Sequence, residues 1–392
     1  MDSSAVATSV PGVDAYDAEM QKLLSINPQE GVGKRHHTVP AFYLRYFADG
    51  DRLNVARAPE DPKAPVLLIP RANLNDLAHR DFYTAIVDTP AGERALDGGL
   101  EHILSYLEGR AAKVLGRLRS PLLAARWVPD DEFHDVIQFV SFQIVRGVRP
   151  RREQELLADY VMRMTAEGTV VDGKRMTIDE LSRIRVVPHQ NHHLKNLGAA
   201  AEAIFEHLKQ RPLSILEIDE PLFHTGDEPV LIIGAGADPT HVPECFLSNR
   251  ERKRRHRAAR AAGTKYEGDI LHFQTTRPNG VALADEVLMP IGPRLLLILG
   301  PIGCDANPYI RVRGPKGREI ADAVNERIRE QAYLWTAAHP DHPTFDAIDG
   351  PTRGPLIRMC DGGTTFSAPL KQAPLPLNVN RLRKSDVHEP RP

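Results

Sequence analysis

Apolar residues recur at helical spacing through the first half of the chain. The clearest segment, 100–118, places its apolar side chains by the i, i+3, i+4, i+7 rule and predicts an amphipathic helix. The next segment, 130–150, is apolar nearly all round and predicts a central, buried helix. Two more helices are predicted over 151–167 and 188–211.

After Pro212 the pattern changes to short apolar runs bounded by proline, glycine and aspartate, which is typical of strands. These runs are LSILEI, PVLIIG, VLMPIG and RLLLILG. The segment KGREIADAVNERIREQAYLWTAA then returns to helical spacing. The sequence therefore predicts an α+β fold with a mainly helical N-terminal half, a small antiparallel sheet after it and a closing C-terminal helix.

The two ends of the chain differ in composition from its middle. Residues 1–30 predict a disordered leader, because they offer little apolar surface to offset the entropy of ordering. Residues 340–392 are rich in proline and glycine and predict a largely irregular tail. Residues 31–339 are predicted to form one composite domain, with a helical part over 31–211 and a sheet-containing part over 212–339.

Composition and charge exclude several classes of protein. Hydrophobic residues make up 42% and charged residues 26% of the 392 residues, which are ordinary globular values. The formal net charge of -2 supplies no global attraction to nucleic acid or anionic lipid. Three widely spaced cysteines fit neither a disulfide scaffold nor a zinc ribbon. No secretory signal and no run of about 20 apolar residues is found, so a cytoplasmic protein without a membrane span is predicted.

Glu101 and Glu108 are the first candidate site residues. They lie seven residues apart on the first predicted helix, so their carboxylates form one stripe at the flank of its apolar face. Half-buried carboxylates of this kind suit metal ligation or general acid–base catalysis. The alternative is that both are boundary residues in ordinary salt bridges, and spacing alone favours this alternative.

Gln143 and Arg146 share one side of the helix that is predicted to be buried. A buried arginine needs a carboxylate, a phosphate or several carbonyls as partners, because an unpaired buried charge is very costly. The sequence leaves two interpretations open at equal weight. Arg146 either forms an internal ion pair, with Glu101 or Glu108 as the candidate partner, or it clamps an anionic ligand.

Three further polar groups stand at the ends of predicted elements. Asp227 lies between two predicted strands, where it either points into a cleft or makes a local turn. His189 and His193 have the i, i+4 spacing of a metal-binding pair, but their polar surroundings favour a solvated helix start. The basic run Arg250 to Arg260 either meets phosphates or forms an exposed helix or flexible loop. Its lack of aromatic residues favours the second.

Seven motifs, taken in order, carry a resemblance to a known family. They are KRHHTVPAFYLRYFA, RDFYT, LEHILSYLEGRAAKVL, FQIVRGVRPRR, FHTGDEPV, PIGPRLLLIL and VNERI, spanning roughly residues 34–330. Together they resemble a bacterial family known only as domain of unknown function 4238. Its opening His-x-x-Pro-x-x-Tyr-Leu signature is matched by His37, Pro40, Tyr43 and Leu44. Its Asp-x-Pro-Val turn is matched by Asp227, Pro229 and Val230, although Glu228 stands where relatives commonly carry asparagine. The resemblance implies no established activity.

The polar residues on these motifs make up the predicted site. One histidine, two glutamates and one aspartate would form an oxygen-rich site suited to Mg, Mn, Fe or Zn. The leading hypothesis is a metal-dependent hydrolase, with phosphodiesters as candidate substrates, and therefore a phosphodiesterase or nuclease. The predicted metal ligands are His37, Glu101, Glu108 and Asp227. The predicted catalytic residues are His37, Glu108, Arg146 and Asp227, and the predicted substrate-binding residues are Gln143 and Arg146. His36 and Asn325 lie on the same motifs.

The second hypothesis is a non-enzymatic binding module for nucleic acid or protein. In this hypothesis the same polar residues form a buried structural network, and the basic run Arg250 to Arg260 contacts the partner. A third hypothesis, a metal oxidase built on a helical bundle, requires Glu-x-x-His pairs on facing helices. The predicted helices contain none.

Overall fold

The computed structural model describes most of the chain. It covers residues 35–59, 64–88, 94–120, 129–166, 168–171, 173–181, 188–189, 191–234, 249–264, 280–305 and 307–352. The predicted leader over 1–30 lies outside these residues, as does the predicted tail from 353 onward.

The described residues contain strands and helices in alternating groups. The strands are β1 (Arg35–His36), β2 (Arg52–Arg57), β3 (Leu67–Asn73), β4 (His79–Arg80), β5 (Ala85–Asp88), β6 (Arg94–Asp97), β7 (Val170–Val171), β8 (Lys174–Arg175), β9 (Leu213–Ile218), β10 (Thr225–Gly226), β11 (Leu231–Gly234), β12 (Ala284–Gly292), β13 (Leu295–Leu299), β14 (Tyr309–Val312) and β15 (Trp335–Ala338). The helices are α1 (Ala41–Leu44), α2 (Gly99–Leu118), α3 (Asp130–Val145), α4 (Val148–Ala166), α5 (Ile178–Leu181), α6 (Asn191–Leu208), α7 (Asn249–Ala261) and α8 (Pro315–Gln331).

The largest sheet has five strands in the order β11, β12, β13, β9 and β14. β14 is parallel to β9, and the other neighbours are antiparallel. Its central strands are apolar on both faces, which is typical of a sheet that is covered on both sides. One face packs on the helices α2 and α3 through residues such as Ile215 and Leu297. The other face packs on α8 through residues such as Leu216 and Leu296.

A second sheet joins the two ends of the described chain. Its order is β10, β15, β2 and β3, and all of its neighbours are antiparallel. β15 is buried along its whole length between β10 and β2. Gly226 of β10 allows this close pairing, since a Cβ atom there would lie 3.2 Å from the carbonyl oxygen of Trp335. The loop around Asp227 is therefore fixed against the chain that follows α8.

The helices α2, α3 and α6 form a layer against the five-stranded sheet. α2 buries Leu104, Leu107, Val114 and Leu115 on one face, as its apolar spacing predicts. Its charged side is tied to α3 by the ion pairs Arg110–Asp135, at 2.7 Å, and Arg117–Glu132. No described helix is both long enough and apolar enough to span a bilayer.

The predicted order of a helical N-terminal half followed by a small sheet is wrong. Six strands precede the first long helix of the described chain, and the sheet of the second half is a five-stranded, mixed sheet. The helix predicted to close the fold ends at Gln331, and Trp335–Ala338 continues as a strand. Four of these six strands have only two to four residues and carry no periodic signal of their own, because distant partners rather than local pattern stabilise them.

Candidate functional site

The two histidines that open the described chain have different roles. His36 on β1 is fully buried, and its Nδ1 accepts a hydrogen bond of 2.8 Å from the Tyr83 main-chain N–H. Its ring also stacks on that of Tyr83 at 5.7 Å. His37 is partly exposed, and its Nε2 donates to the carbonyl oxygen of Leu74 at 3.3 Å. Burial lowers the pKa of His37, so its imidazole is neutral at pH 7.

Arg146 is the centre of the polar network and is only 1% exposed. It lies at the C-terminal cap of α3, and its Nε donates to the carbonyl oxygen of Thr38 at 2.7 Å. Its Nη1 donates to Glu108 Oε1 at 2.8 Å, and its Nη2 donates to the carbonyl oxygen of His37 at 3.2 Å. These bonds hold the segment before α1 against α2 and α3. The sequence left two interpretations of Arg146 open, an internal ion pair and an anion clamp. The structure shows the internal ion pair, with Glu108 as the partner.

Glu101 and Glu108 differ in environment although they share one side of α2. The Glu108 side chain is 25% exposed and paired with Arg146. No hydrogen bond or ion pair joins the Glu101 carboxylate to another described residue. Burial and the nearby charge of Glu108 raise the pKa of Glu101 to about 7, and Arg146 opposes this rise. The Glu101 carboxyl can therefore exchange a proton near neutral pH.

Glu101→Gln should remove a pH dependence from the stability of the protein. The folded-state pKa lies above the ordinary value of 4.5, so the folded state keeps a proton that the unfolded state releases. The free energy of unfolding should therefore fall as pH rises from about 4.5 to 7, by at most about 3 kcal/mol. Urea titrations at several pH values should show a flatter profile and higher stability at pH 8 for Glu101→Gln. Glu202→Gln, at an exposed position of α6, should leave the wild-type profile in place.

Asp227 is buried and bonded to the main chain after α8. Its Oδ1 accepts the N–H of Tyr333 at 2.9 Å, and its Oδ2 accepts the N–H of Leu334 at 2.7 Å. Burial and the neighbouring Glu228 raise the pKa of Asp227 to about 7, while these two hydrogen bonds and Arg149 oppose the rise. Asp227 thus fixes the start of β15, and both of its oxygens are used within the fold.

The predicted metal ligands are not arranged around one point. Within the described residues, no group of three or more histidine, cysteine, aspartate or glutamate side chains is placed to hold a metal ion. His37, Glu108 and Arg146 are brought together, and Glu101 lies close enough to sense the charges of the last two. Gln143 is 4% exposed, and neither its Nε2 nor its Oε1 has a hydrogen-bond partner in the described structure.

Comparison with known proteins assigns the chain to a family. Residues 35–251, more than half of the chain, match the model of the family described as Protein of unknown function (DUF4238). The chain belongs to this family. Neither a curated protein nor a solved structure matches the chain. The family region of this DUF4238 protein begins at β1 and ends within the first turn of α7.

Three further arginines of the DUF4238 region are buried at the start of α4. Arg149 donates to Glu228 at 2.6 Å and to the carbonyl oxygen of Gln331 at 3.0 Å, and it stacks over the ring of Tyr333. Arg151 donates to the carbonyl oxygen of Phe82, and Arg152 pairs with a carboxylate on its own helix. The motif FQIVRGVRPRR contains all of them. Sequence reasoning singled out only Arg146, because the apolar pattern that indicates burial ends before the other three.

The basic run of this DUF4238 protein is an exposed helix. α7 carries seven lysine or arginine residues and one glutamate. Five exposed basic side chains lie within an arc of about 120°, since each residue advances by about 100°. They are Arg250, Lys253, Arg254, Arg257 and Arg260, here called the basic stripe. Glu251, Arg255 and Ala259 are only partly exposed and occupy the opposite side of the helix. The basic stripe therefore lies on the more exposed side of α7.

Proposed function

We propose that this DUF4238 protein binds nucleic acid through the basic stripe of α7, and that the buried polar network around Arg146 stabilises the fold. The observation that carries the proposal is the basic stripe itself. Of its members, Arg254 pairs with Glu251 at 2.6 Å. The other four have no ion pair with any described residue, so they are free to meet phosphates.

The dimensions of the basic stripe suit a duplex. From Arg250 to Arg260 it extends for about 15 Å, at about 1.5 Å per residue. The major groove of B-form DNA is about 12 Å wide and admits an α-helix, whereas the major groove of A-form RNA is too narrow for side chains to read. No aromatic residue lies on α7 to stack on unpaired bases. These features favour double-stranded DNA, held through its phosphates, over single strands.

The hydrolase hypothesis draws less support from the same residues. Arg146 is buried and its donors are used by Glu108 and two carbonyl oxygens, so a substrate would have to displace internal bonds to reach it. Both oxygens of Asp227 are likewise occupied by main-chain N–H groups. An internal network of this kind is better explained as a stabilising one, since breaking a buried ion pair is very costly.

Binding of a 20-base-pair DNA duplex at increasing salt concentration tests the proposal. If about four cations each displace a phosphate counterion, the logarithm of the affinity should fall with the logarithm of salt with a slope of about -4. The affinity should therefore drop roughly a hundredfold between 50 and 200 mM salt. Fluorescence anisotropy of a labelled duplex measures this directly. A protein that shows no binding at 50 mM salt, or binding that ignores salt, would contradict the proposal.

A further inference from the structure

Two pairs of histidines in this DUF4238 protein arise in different ways. His189 and His193 have helical spacing, but α6 begins only at Asn191 and turns His193 inward, so that His193 is 3% exposed. The solvated helix start predicted for this segment is therefore wrong for His193. His224 and His342 lie 118 residues apart in the chain, yet their Nε2 atoms are 3.2 Å from each other. Tertiary structure, and not sequence spacing, brings this second pair together.

His342 belongs to the segment that follows β15. This segment, residues 339–352, is here called the strap. Its Phe345 is 8% exposed and packs in an apolar cluster with side chains of β2 and β15. At its end, the main-chain N–H of Thr352 donates to the carbonyl oxygen of Arg329 at 3.2 Å. The strap is thus folded back on the second sheet and on the last turn of α8.

The hydrogen bonds of His342 indicate where its proton lies. Its Nδ1 accepts the main-chain N–H of Thr344 at 3.3 Å, so the proton of the neutral ring is on Nε2. That N–H faces the carbonyl oxygen of Leu222 at 3.0 Å and Nε2 of His224 at 3.2 Å. The Nε2 atom of His224 therefore presents a lone pair, and one proton lies between the two rings.

A proton added to His224 would break this contact. With a lone pair on Nε2, the neutral ring carries its own proton on Nδ1, so a second proton can be added only to Nε2. Two N–H groups would then face each other across 3.2 Å. His224 is 2% exposed, so water would not offset this repulsion. Displacement of His342 removes the opposing N–H and lets His224 take up the proton.

The acidic groups near the pair act on His342. Asp349 of the strap and Asp322 of α8 favour its protonated form, although burial is the larger effect and lowers the pKa of His342. Burial, followed by the charge of His342, lowers the pKa of His224 well below its ordinary value. His224 is therefore the ring that the closed strap keeps neutral.

We propose that the strap is an acid-sensitive element, which opens when His224 takes up a proton while the rest of the fold stays in place. The direction follows from the protonation of the two states. The closed strap keeps His224 neutral, whereas in the open state His224 protonates near its ordinary value of 6.5. Closure is therefore most favourable above pH 6.5 and weakens as pH falls below it. The proposal is independent of nucleic-acid binding, because it uses no residue of α7.

Hydrogen exchange of the full-length protein at pH 7 and pH 5, followed by NMR, tests the proposal. The reporter is the main-chain N–H of Thr352, which is bonded only while the strap is closed on Arg329. Its protection factor, which corrects for the intrinsic effect of pH on exchange, should fall roughly twentyfold, since His224 gains one proton on opening. The N–H of Leu297, in the central strand β13, should remain better protected than that of Thr352 at pH 5.

His224→Gln separates the role of this ring from other effects of acid. The glutamine oxygen can accept the N–H of His342 and does not titrate, so Thr352 should lose most of its pH dependence. His207→Gln, at an exposed position of α6, should retain the wild-type fall. The ratio between pH 7 and pH 5 is taken within each protein, so a variant of lower stability remains informative.

Three results would overturn the proposal. The first is equal protection of Thr352 at pH 7 and pH 5 in the wild type. The second is a fall in His224→Gln as large as in the wild type, which would assign the effect to other groups. The third is a Leu297 N–H no better protected than that of Thr352 at pH 5, which would mean that the whole fold opens.

The ring resonances of His224 in the wild type decide the matter if His224→Gln does not fold. At pH 5, molecules with a closed strap should show the neutral ring. A titration of His224 with a midpoint near 6.5, together with retained protection of Thr352, would show that the closed strap tolerates the proton and would contradict the proposal.

Discussion

Reversing two charges of the basic stripe should abolish most of the binding to duplex DNA. In the double variant Lys253→Glu/Arg257→Glu, two cations that face outward become anions at the centre of the stripe. The affinity at 50 mM salt should fall roughly a hundredfold, and the slope of affinity against salt should be smaller by about 2, because two phosphate contacts are lost. The stability of the fold should not change, since both side chains are exposed and without ion pairs to described residues.

A second double variant tests whether binding depends on the basic stripe or on the total charge of the protein. Lys113→Glu/Lys195→Glu changes the net charge of the protein by the same amount, at exposed positions of α2 and α6. Its affinity for the duplex should stay within a few-fold of wild type, because long-range charge is screened over about 10 Å at 0.1 M salt. Equal losses in the two variants would mean that total charge, and not the stripe, controls binding. An unchanged affinity in the first variant would remove α7 from the interface.

The basic stripe and the Arg146 network differ in their position relative to the DUF4238 match. The family match ends at residue 251, so almost all of α7 lies beyond it. The Arg146 network, by contrast, lies wholly within the matched region. The proposed stabilising network and the proposed interface therefore lie on different parts of the chain.

Local pattern predicted several elements of the fold correctly. The helix predicted over 100–118 lies at Gly99–Leu118, and the run LSILEI coincides with β9. The helix buries one face and the strand is buried on both faces, and this burial requires the spacing of apolar residues that the sequence shows. β15 was missed because its four residues, Trp335–Ala338, follow a helix without a proline or glycine to mark the change. It becomes a strand by pairing with β2, near the other end of the described chain, and with β10.

Local pattern likewise indicated only some of the contacts of the candidate site. Helical spacing could place Glu101 and Glu108 on one side of a helix, and the predicted burial of Arg146 could require a partner for its charge. Neither could show that the carbonyl oxygens of His37 and Thr38 complete the contacts of Arg146. The pattern of side chains does not indicate which main-chain carbonyl a buried side chain will contact. For the same reason the sequence did not indicate the role of Asp227, whose partners are the main-chain N–H groups of Tyr333 and Leu334.

Arg146→Met should cause a large loss of stability. The substitution replaces the guanidinium-bearing side chain by a shorter, apolar one, so it leaves Glu108 without its cation and two carbonyl oxygens without their donor. Breaking one partner of a buried pair costs roughly 3–5 kcal/mol, which is a large part of the stability of a typical domain. Urea unfolding followed by circular dichroism measures the change in the free energy of unfolding.

Arg45→Met provides the matched control for Arg146→Met. Arg45 pairs with Asp51 at 3.0 Å, but the two side chains are 56% and 59% exposed. A surface pair of this kind contributes about 0–1 kcal/mol, so the control should unfold almost as wild type does. The double variant Arg146→Met/Glu108→Gln should recover part of the loss, because it removes the carboxylate that the single variant leaves unpaired. A loss in Arg146→Met no greater than in Arg45→Met would mean that the network does not stabilise the fold, and would return Arg146 to the role of a ligand-binding residue.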